Sequence, residues 1–103
     1  MPKCIDVAYM KSVELEKLSE FLKALSDPNR LHIVYCLSQG ERCVCDIYEA
    51  LNLPQNLVSH HLKVLKEAGI VEARRDGTWI RYRLNEKKIA DYQRTLAKAL
   101  KIE

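Results

Sequence analysis

No stretch of the 103-residue sequence approaches the roughly 18 uncharged apolar residues that a membrane span requires. The run Met1-Pro2-Lys3-Cys4-Ile5-Asp6 carries no apolar signal segment. The expectation is a cytosolic (cytoplasmic) protein with no membrane partner and with its thiols kept reduced. Catalytic signatures are missing as well. There is no Cys-x-x-Cys in a strand–helix–strand setting, no phosphate-binding glycine loop, no nucleophile elbow and no carboxylate pair set in a cleft. These absences argue against an enzyme. Internal repeats, low-complexity tracts and Ser/Gly linkers are absent too, so nothing divides the chain.

What is present suits one folded domain over 1–103. A hydrophobic fraction of 48% is ample for a core and excludes a disordered chain. A chain this short still exposes much apolar surface, so self-association is expected. The net charge of +3 is compatible with nucleic acid without requiring it. Where the cations lie matters more than their sum.

After an N-terminal arm over 1–11, helical spacing begins at 12–25 with Leu15, Leu18, Phe21, Leu22 and Leu25. Asp27-Pro28-Asn29 breaks that pattern and opens a second helix, with Asp27 as cap and Pro28 in its first position. Leu31, Ile33, Val34 and Leu37 are its expected inward residues. A short helix over about 44–51 and a longer one over 54–68 are joined by the tight turn Asn52-Leu53-Pro54, and Gly69 ends the second. Two helices joined so closely, over 44–68, make a helix-turn-helix.

Between 71 and 84 the period changes to two. Val71, Ala73, Ile80, Tyr82 and Leu84 alternate with polar residues on either side of Asp76-Gly77, a strong hairpin signal. A turn centred there places Arg75 opposite Thr78, Arg74 opposite Trp79 and Glu72 opposite Arg81, with cation–π and ion-pair contacts on the outer face. A last helix covers 86–101. The order reads as a mainly α fold with a small β-hairpin, a winged helix-turn-helix.

On a helical wheel, the 55–68 segment divides into two faces. Leu57, Val58, His61, Leu62, Val64, Leu65 and Ala68 share the inner side, where His61 reads as a packed core residue. Gln55, Asn56, Ser59, His60 and Lys63 share the outer side with Lys66 and Glu67. Amides and hydroxyls near the N-terminus with lysines further on suit a reader of the major groove. Any solvated helix has a polar face, but the hairpin that follows carries Arg74, Arg75, Arg81 and Arg83, a wing suited to gripping phosphate. The expected partner is double-stranded operator DNA.

The segment Leu53-Pro54-Gln55-Asn56-Leu57-Val58-Ser59-His60-His61-Leu62-Lys63-Val64-Leu65 resembles the recognition helix of the ArsR/SmtB family of metal-responsive repressors. Glu41-Arg42-Cys43-Val44-Cys45-Asp46-Ile47 resembles that family's metal box, and the likeness runs from about Leu25 to Leu84. The resemblance implies a dimer that represses its operator when ion-free and releases it when an inducing ion binds. It carries DNA contacts onto Gln55, Asn56, Ser59 and His60, and metal ligation onto Cys43 and Cys45. The chain departs from the family at Asn56, where a serine is commoner, and at Tyr48, where three-cysteine arsenic sensors have their third thiol. The last helix offers Asp91 and Gln93 but no histidine, which argues against the zinc and cobalt site of that helix.

Cys43-Val44-Cys45 supplies two thiolates, which select soft ions such as As(III), Sb(III), Cd(II), Pb(II) or Zn(II). The expected regulatory ligand is As(III)/Sb(III) or Cd(II)/Pb(II). Residues two apart on a regular helix diverge, so a shared ion needs the pair at a helix start, where this pair lies. Two thiolates leave such an ion short of ligands, and Cys4 on the arm is the expected third. Cys36, between Tyr35 and Leu37, reads as an inert core thiol. A redox or persulfide switch is the rival within the sensor class, although the last helix has no cysteine to pair with the second. A constitutive DNA-binding regulator with incidental thiols is the other rival. Dimerisation is expected through 12–25 and 86–101, with Ile89, Tyr92, Leu96 and Leu100 as a seam facing a stripe that includes Leu18 and Leu22.

Overall fold

The computed structural model describes residues 12–101. Five helices and three strands follow in the order α1 (Ser12–Leu25), α2 (Pro28–Leu37), β1 (Arg42–Cys43), α3 (Val44–Leu51), α4 (Gln55–Glu67), β2 (Val71–Asp76), β3 (Trp79–Leu84) and α5 (Glu86–Leu100). None of the described helices is long and apolar enough to cross a membrane.

Local chemistry sets the boundaries. The Asp27 carboxylate accepts hydrogen bonds from the backbone N–H groups of Asn29 (2.8 Å) and Arg30 (3.2 Å), and Pro28 occupies the first turn, where no N–H is needed. Asn52 closes α3 in the left-handed conformation (φ 54°), which asparagine tolerates better than most residues. Gly69, at φ 78°, turns the chain out of α4 towards the sheet. Asn85 caps α5 by accepting from the Lys88 N–H at 3.0 Å.

The core lies where α2, α3, α4 and the base of the sheet meet. Ile33, Ile47, Val58, Leu62, Leu65 and Ile70 are wholly removed from solvent. Leu18, Phe21 and Ala24 of α1 join them, and α5 closes over α1. The Phe21 and Tyr92 rings stack at a centroid distance of 4.2 Å, and the Tyr92 hydroxyl donates to the Ala68 carbonyl at 3.2 Å. The apolar stripe expected on α1 therefore divides. Leu18 and Phe21 face inward, whereas Leu15 and Leu22 remain exposed. On α2, Leu31 is 50% exposed and does not join Ile33 and Leu37 in the core.

The wing differs from its expected register. The two-residue loop is Gly77-Thr78, so Asp76 pairs with Trp79, Arg75 with Ile80, Arg74 with Arg81 and Glu72 with Arg83. Gly77, first in the loop, takes φ 63°, a conformation glycine adopts without strain. The shift is two residues, which preserves the faces, and Val71, Ala73, Tyr82 and Leu84 stay inward, but Ile80, near the tip, is exposed. The Arg74–Trp79 pairing does not survive. Trp79 stands 57% exposed opposite Asp76. A third strand, β1, pairs antiparallel with β3 through Arg42–Tyr82 and Cys43–Arg81, making the order β1-β3-β2.

Candidate nucleic-acid interface and cysteine site

The outer face of α4 carries Gln55, Asn56, Ser59, His60 and Lys63, all exposed, while Val58, His61, Leu62 and Leu65 anchor the inner face. Pro54 precedes the helix and supplies no side-chain cap. The exposed side chains therefore have a fixed platform beneath them.

The wing arginines are not equivalent. Arg74 and Arg81 are directly opposed across the hairpin, where like charges repel. Glu41, from the loop before β1, settles between them. Arg74 donates to it through Nε (3.2 Å) and Nη2 (2.7 Å), and Arg81 through Nε at 3.3 Å. The hydrogen bonds from Arg74, with its charge and that of Arg81, outweigh desolvation and hold the Glu41 carboxyl below its ordinary value. Arg83 pairs with Glu72 at 3.2 Å. Arg75 is exposed and makes no ion pair among the described residues.

Cys43 is both the last residue of β1 and the N-cap of α3, in extended conformation (φ −78°, ψ 162°). Cys45 lies in the first turn of α3. The two Cα atoms lie 5.4 Å apart, within bridging range and no closer than on a regular helix, but the extended backbone at Cys43 re-aims its side chain, and the sulfurs are joined as a disulfide. The strand-to-helix corner is what lets the two side chains converge. Asp46 completes a cluster whose three ligand atoms all lie within 4.8 Å of one another. Once reduced, this donor set of two sulfurs and a carboxylate oxygen suits a thiophilic ion. Asp46 was legible only as part of the metal box, and nothing in residue spacing marked it as converging with the sulfurs. Cys4 lies outside the described residues. Cys36 is the free cysteine among the described residues, half-buried against the core.

His61 is 5% exposed, with Nε2 3.9 Å from the Asp27 carboxylate and no hydrogen-bond partner for Nδ1 among the described residues. Burial pushes its pKa below the ordinary 6.5; the Asp27 charge opposes this, and the charges of Arg30 and His60 add to it. The folded protein then binds fewer protons than the unfolded chain at and below that ordinary value. Stability is present above about pH 6.5 and is lost as pH falls through the lowered folded value. The melting midpoint should drop between pH 7 and pH 5, and His61→Gln should flatten that slope. An unchanged slope in the variant would remove His61 as its source. Asp27 and Glu41, with carboxyls held below their ordinary values, titrate in a lower window.

A short helix packed behind an exposed one, followed by a basic two-stranded wing, defines a winged helix-turn-helix DNA-binding protein. Residues 27–73 match the family described as bacterial regulatory protein, arsR family. The chain is 46% identical over 77 residues to an HTH-type transcriptional regulator of Methanocaldococcus jannaschii, covering 74% of this chain and 86% of that one. It is 41% identical over 80 residues to the arsenical resistance operon repressor of Bacillus subtilis, covering 77% and 76%. The chain belongs to the ArsR family, whose members are DNA-binding transcriptional regulators rather than enzymes. Among solved structures it is similar to the homodimeric winged helix-turn-helix DNA-binding domain of a possible ArsR-family regulator from Mycobacterium bovis. That match has 36% identity and a TM-score of 0.73, and covers 86% of this chain and 83% of the other.

Of the residues expected at a dimer interface, Leu18 is buried within the protomer, and Ile89, Tyr92 and Leu96 are half-buried against its core. Leu22 and Leu100 are exposed.

Proposed function

We propose that the protein is a homodimeric repressor that binds operator DNA when its cysteine site is ion-free and releases it when As(III)/Sb(III) or Cd(II)/Pb(II) binds Cys43 and Cys45. The observation that carries this reading is the convergence of Cys43, Cys45 and Asp46 at the start of the helix packed against the recognition helix. Cys4 is the proposed further ligand. Gln55, Asn56, Ser59, His60 and Lys63 read bases and phosphates, and the wing contributes Arg75, Arg74, Arg81 and Arg83. Dimerisation uses the outward apolar residues of α1 and α5, Leu22 and Leu100 among them, and sets two recognition helices about one DNA turn apart.

The test is fluorescence anisotropy with reduced protein on two duplexes of equal length, one from upstream of its own coding sequence and one of random sequence. Binding should favour the upstream duplex. One of the four ions should weaken it roughly 5–150-fold, the usual range of ligand coupling. No response to any of them would end the metal-sensing reading.

A dithiol–disulfide sensor is the second reading, favoured by the disulfide itself. Two thiols would give up two electrons and two protons to hydrogen peroxide, which is reduced to water. If oxidation alone releases DNA, this second reading holds. If oxidation leaves DNA bound and removes only the ion response, the first does.

A further inference from the structure

We propose that Glu41 is a built-in competitor for DNA phosphate, holding Arg74 and Arg81 against the protein and tying their availability to the state of Cys43. The inference rests on the reading above that the wing grips DNA and that Cys43 belongs to the sensing site.

Competition follows from shape. A guanidinium fork fits a carboxylate and a phosphate in the same way, through paired N–H donors. Arg74 directs both Nε and Nη2 at Glu41, so the edge that would clasp a phosphate is occupied. Arg81 directs Nε at the same carboxylate. Two opposed arginines need an anion between them, and either Glu41 or the DNA backbone can supply it.

The tie to Cys43 follows from topology. Cys43 of β1, Arg81 of β3 and Arg74 of β2 are neighbours in one row across the sheet. Glu41 enters that row from the segment that ends in Cys43, and it comes from outside the hairpin. Glu72, the partner of Arg83, belongs to the hairpin itself and moves with it. A shift of β1 caused by ligation at Cys43 would therefore change the distance between Glu41 and its two arginines while leaving the Glu72–Arg83 pair alone.

The test compares wild type, Glu41→Gln, Glu72→Gln and Glu41→Gln/Arg74→Gln, each checked by thermal melting. Anisotropy titrations of the reduced proteins use the upstream and random duplexes at several salt concentrations, with and without As(III), Sb(III), Cd(II) or Pb(II). Glu41→Gln should tighten ion-free binding to both duplexes about tenfold and steepen the log–log salt dependence by up to about 1.8 per protomer, at about 0.9 per phosphate. Its ion-induced weakening should be smaller than that of wild type. Adding Arg74→Gln should roughly halve the logarithmic gain, because only Arg81 remains to be freed. Glu72→Gln should tighten binding but keep the wild-type ion response.

Unchanged or weaker binding by Glu41→Gln with an unchanged salt slope would overturn the competition. If wild type and Glu41→Gln respond equally to ion, the tie to Cys43 is overturned while the sensing site stands. If wild type responds to no ion, the sensing reading fails and takes the tie with it. The ion-free affinity and salt slope still decide the competition in that case.

Discussion

A protein carrying serine at both Cys43 and Cys45 should bind the upstream duplex as tightly as wild type and stay bound when the inducing ion is added. Serine hydroxyls do not ionise near neutral pH and are poor ligands for soft ions, so the exchange removes the two strongest donors of the cluster. Asp46 remains, but a single carboxylate does not retain a thiophilic ion against water. The proposed DNA-reading face lies on α4 (Gln55–Glu67), and neither cysteine is part of that helix. Losing the disulfide should change stability little, because its sequence separation is only two and so short a loop constrains few unfolded conformations. Cys43 is 7% exposed, so its new hydroxyl must find a hydrogen-bond partner, and a melting curve would reveal any cost. The readout is the ratio of operator affinities with and without ion. It should fall from roughly 5–150 to about one. Ion-induced release by the double variant would place the sensing site elsewhere.

Leu62→Ala should be among the most damaging single truncations of the core. Leu62 has no exposed surface and sits on the inner face of α4, in the cluster that includes Ile33 and Ile47. Removing a wholly buried leucine side chain costs about 2–5 kcal/mol, depending on how far the neighbours collapse into the gap. In a domain of this size that lowers the melting midpoint by roughly 10–30 °C. Leu31→Ala is the control. Its side chain is half in water, so the change should stay within about 0.5 kcal/mol. Measured by denaturant titration, a loss below about 1 kcal/mol for Leu62→Ala would mean that this core is far softer than its burial indicates.

Much of the fold was legible because strong local signals agreed with the tertiary structure. Asp27-Pro28 and Gly69 mark their boundaries by backbone chemistry that no packing overrides, and both fall where expected. The two faces of α4 separate cleanly, since a helix between a core and solvent must be amphipathic. The hairpin register was less secure. Asp76-Gly77-Thr78 allows more than one two-residue loop, and a shift by two residues keeps every side chain on its face, so hydrophobic alternation does not choose between them. Strand β1 was not legible at all, because two residues, Arg42 and Cys43, carry no periodicity. With it went the position of Glu41, whose partners lie 33 and 40 residues further along the chain. The cysteine site was legible in its ligand types and in its place at a helix start, but not in the short strand that ends at Cys43 and makes the corner.

The left-handed joint at Asn52 has a mechanical consequence. The Asn52 N–H bonds to the carbonyls of Glu49 and Tyr48, and the Leu53 N–H also bonds to Tyr48. Ile47 of α3 and Val58 and Leu62 of α4 belong to one buried cluster, so α3 and α4 are expected to turn together as one lever. Gly40 and Gly69 flank that lever, each in backbone angles open to few other residues. The 13 residues of α4 span about 20 Å, so a tilt of about 10° at one end carries the other through about 3.5 Å. That arc exceeds the reach of a hydrogen bond. A rotation of about 10° at the root of α3 is thus enough to lift the proposed recognition face off a base edge without unfolding a single turn.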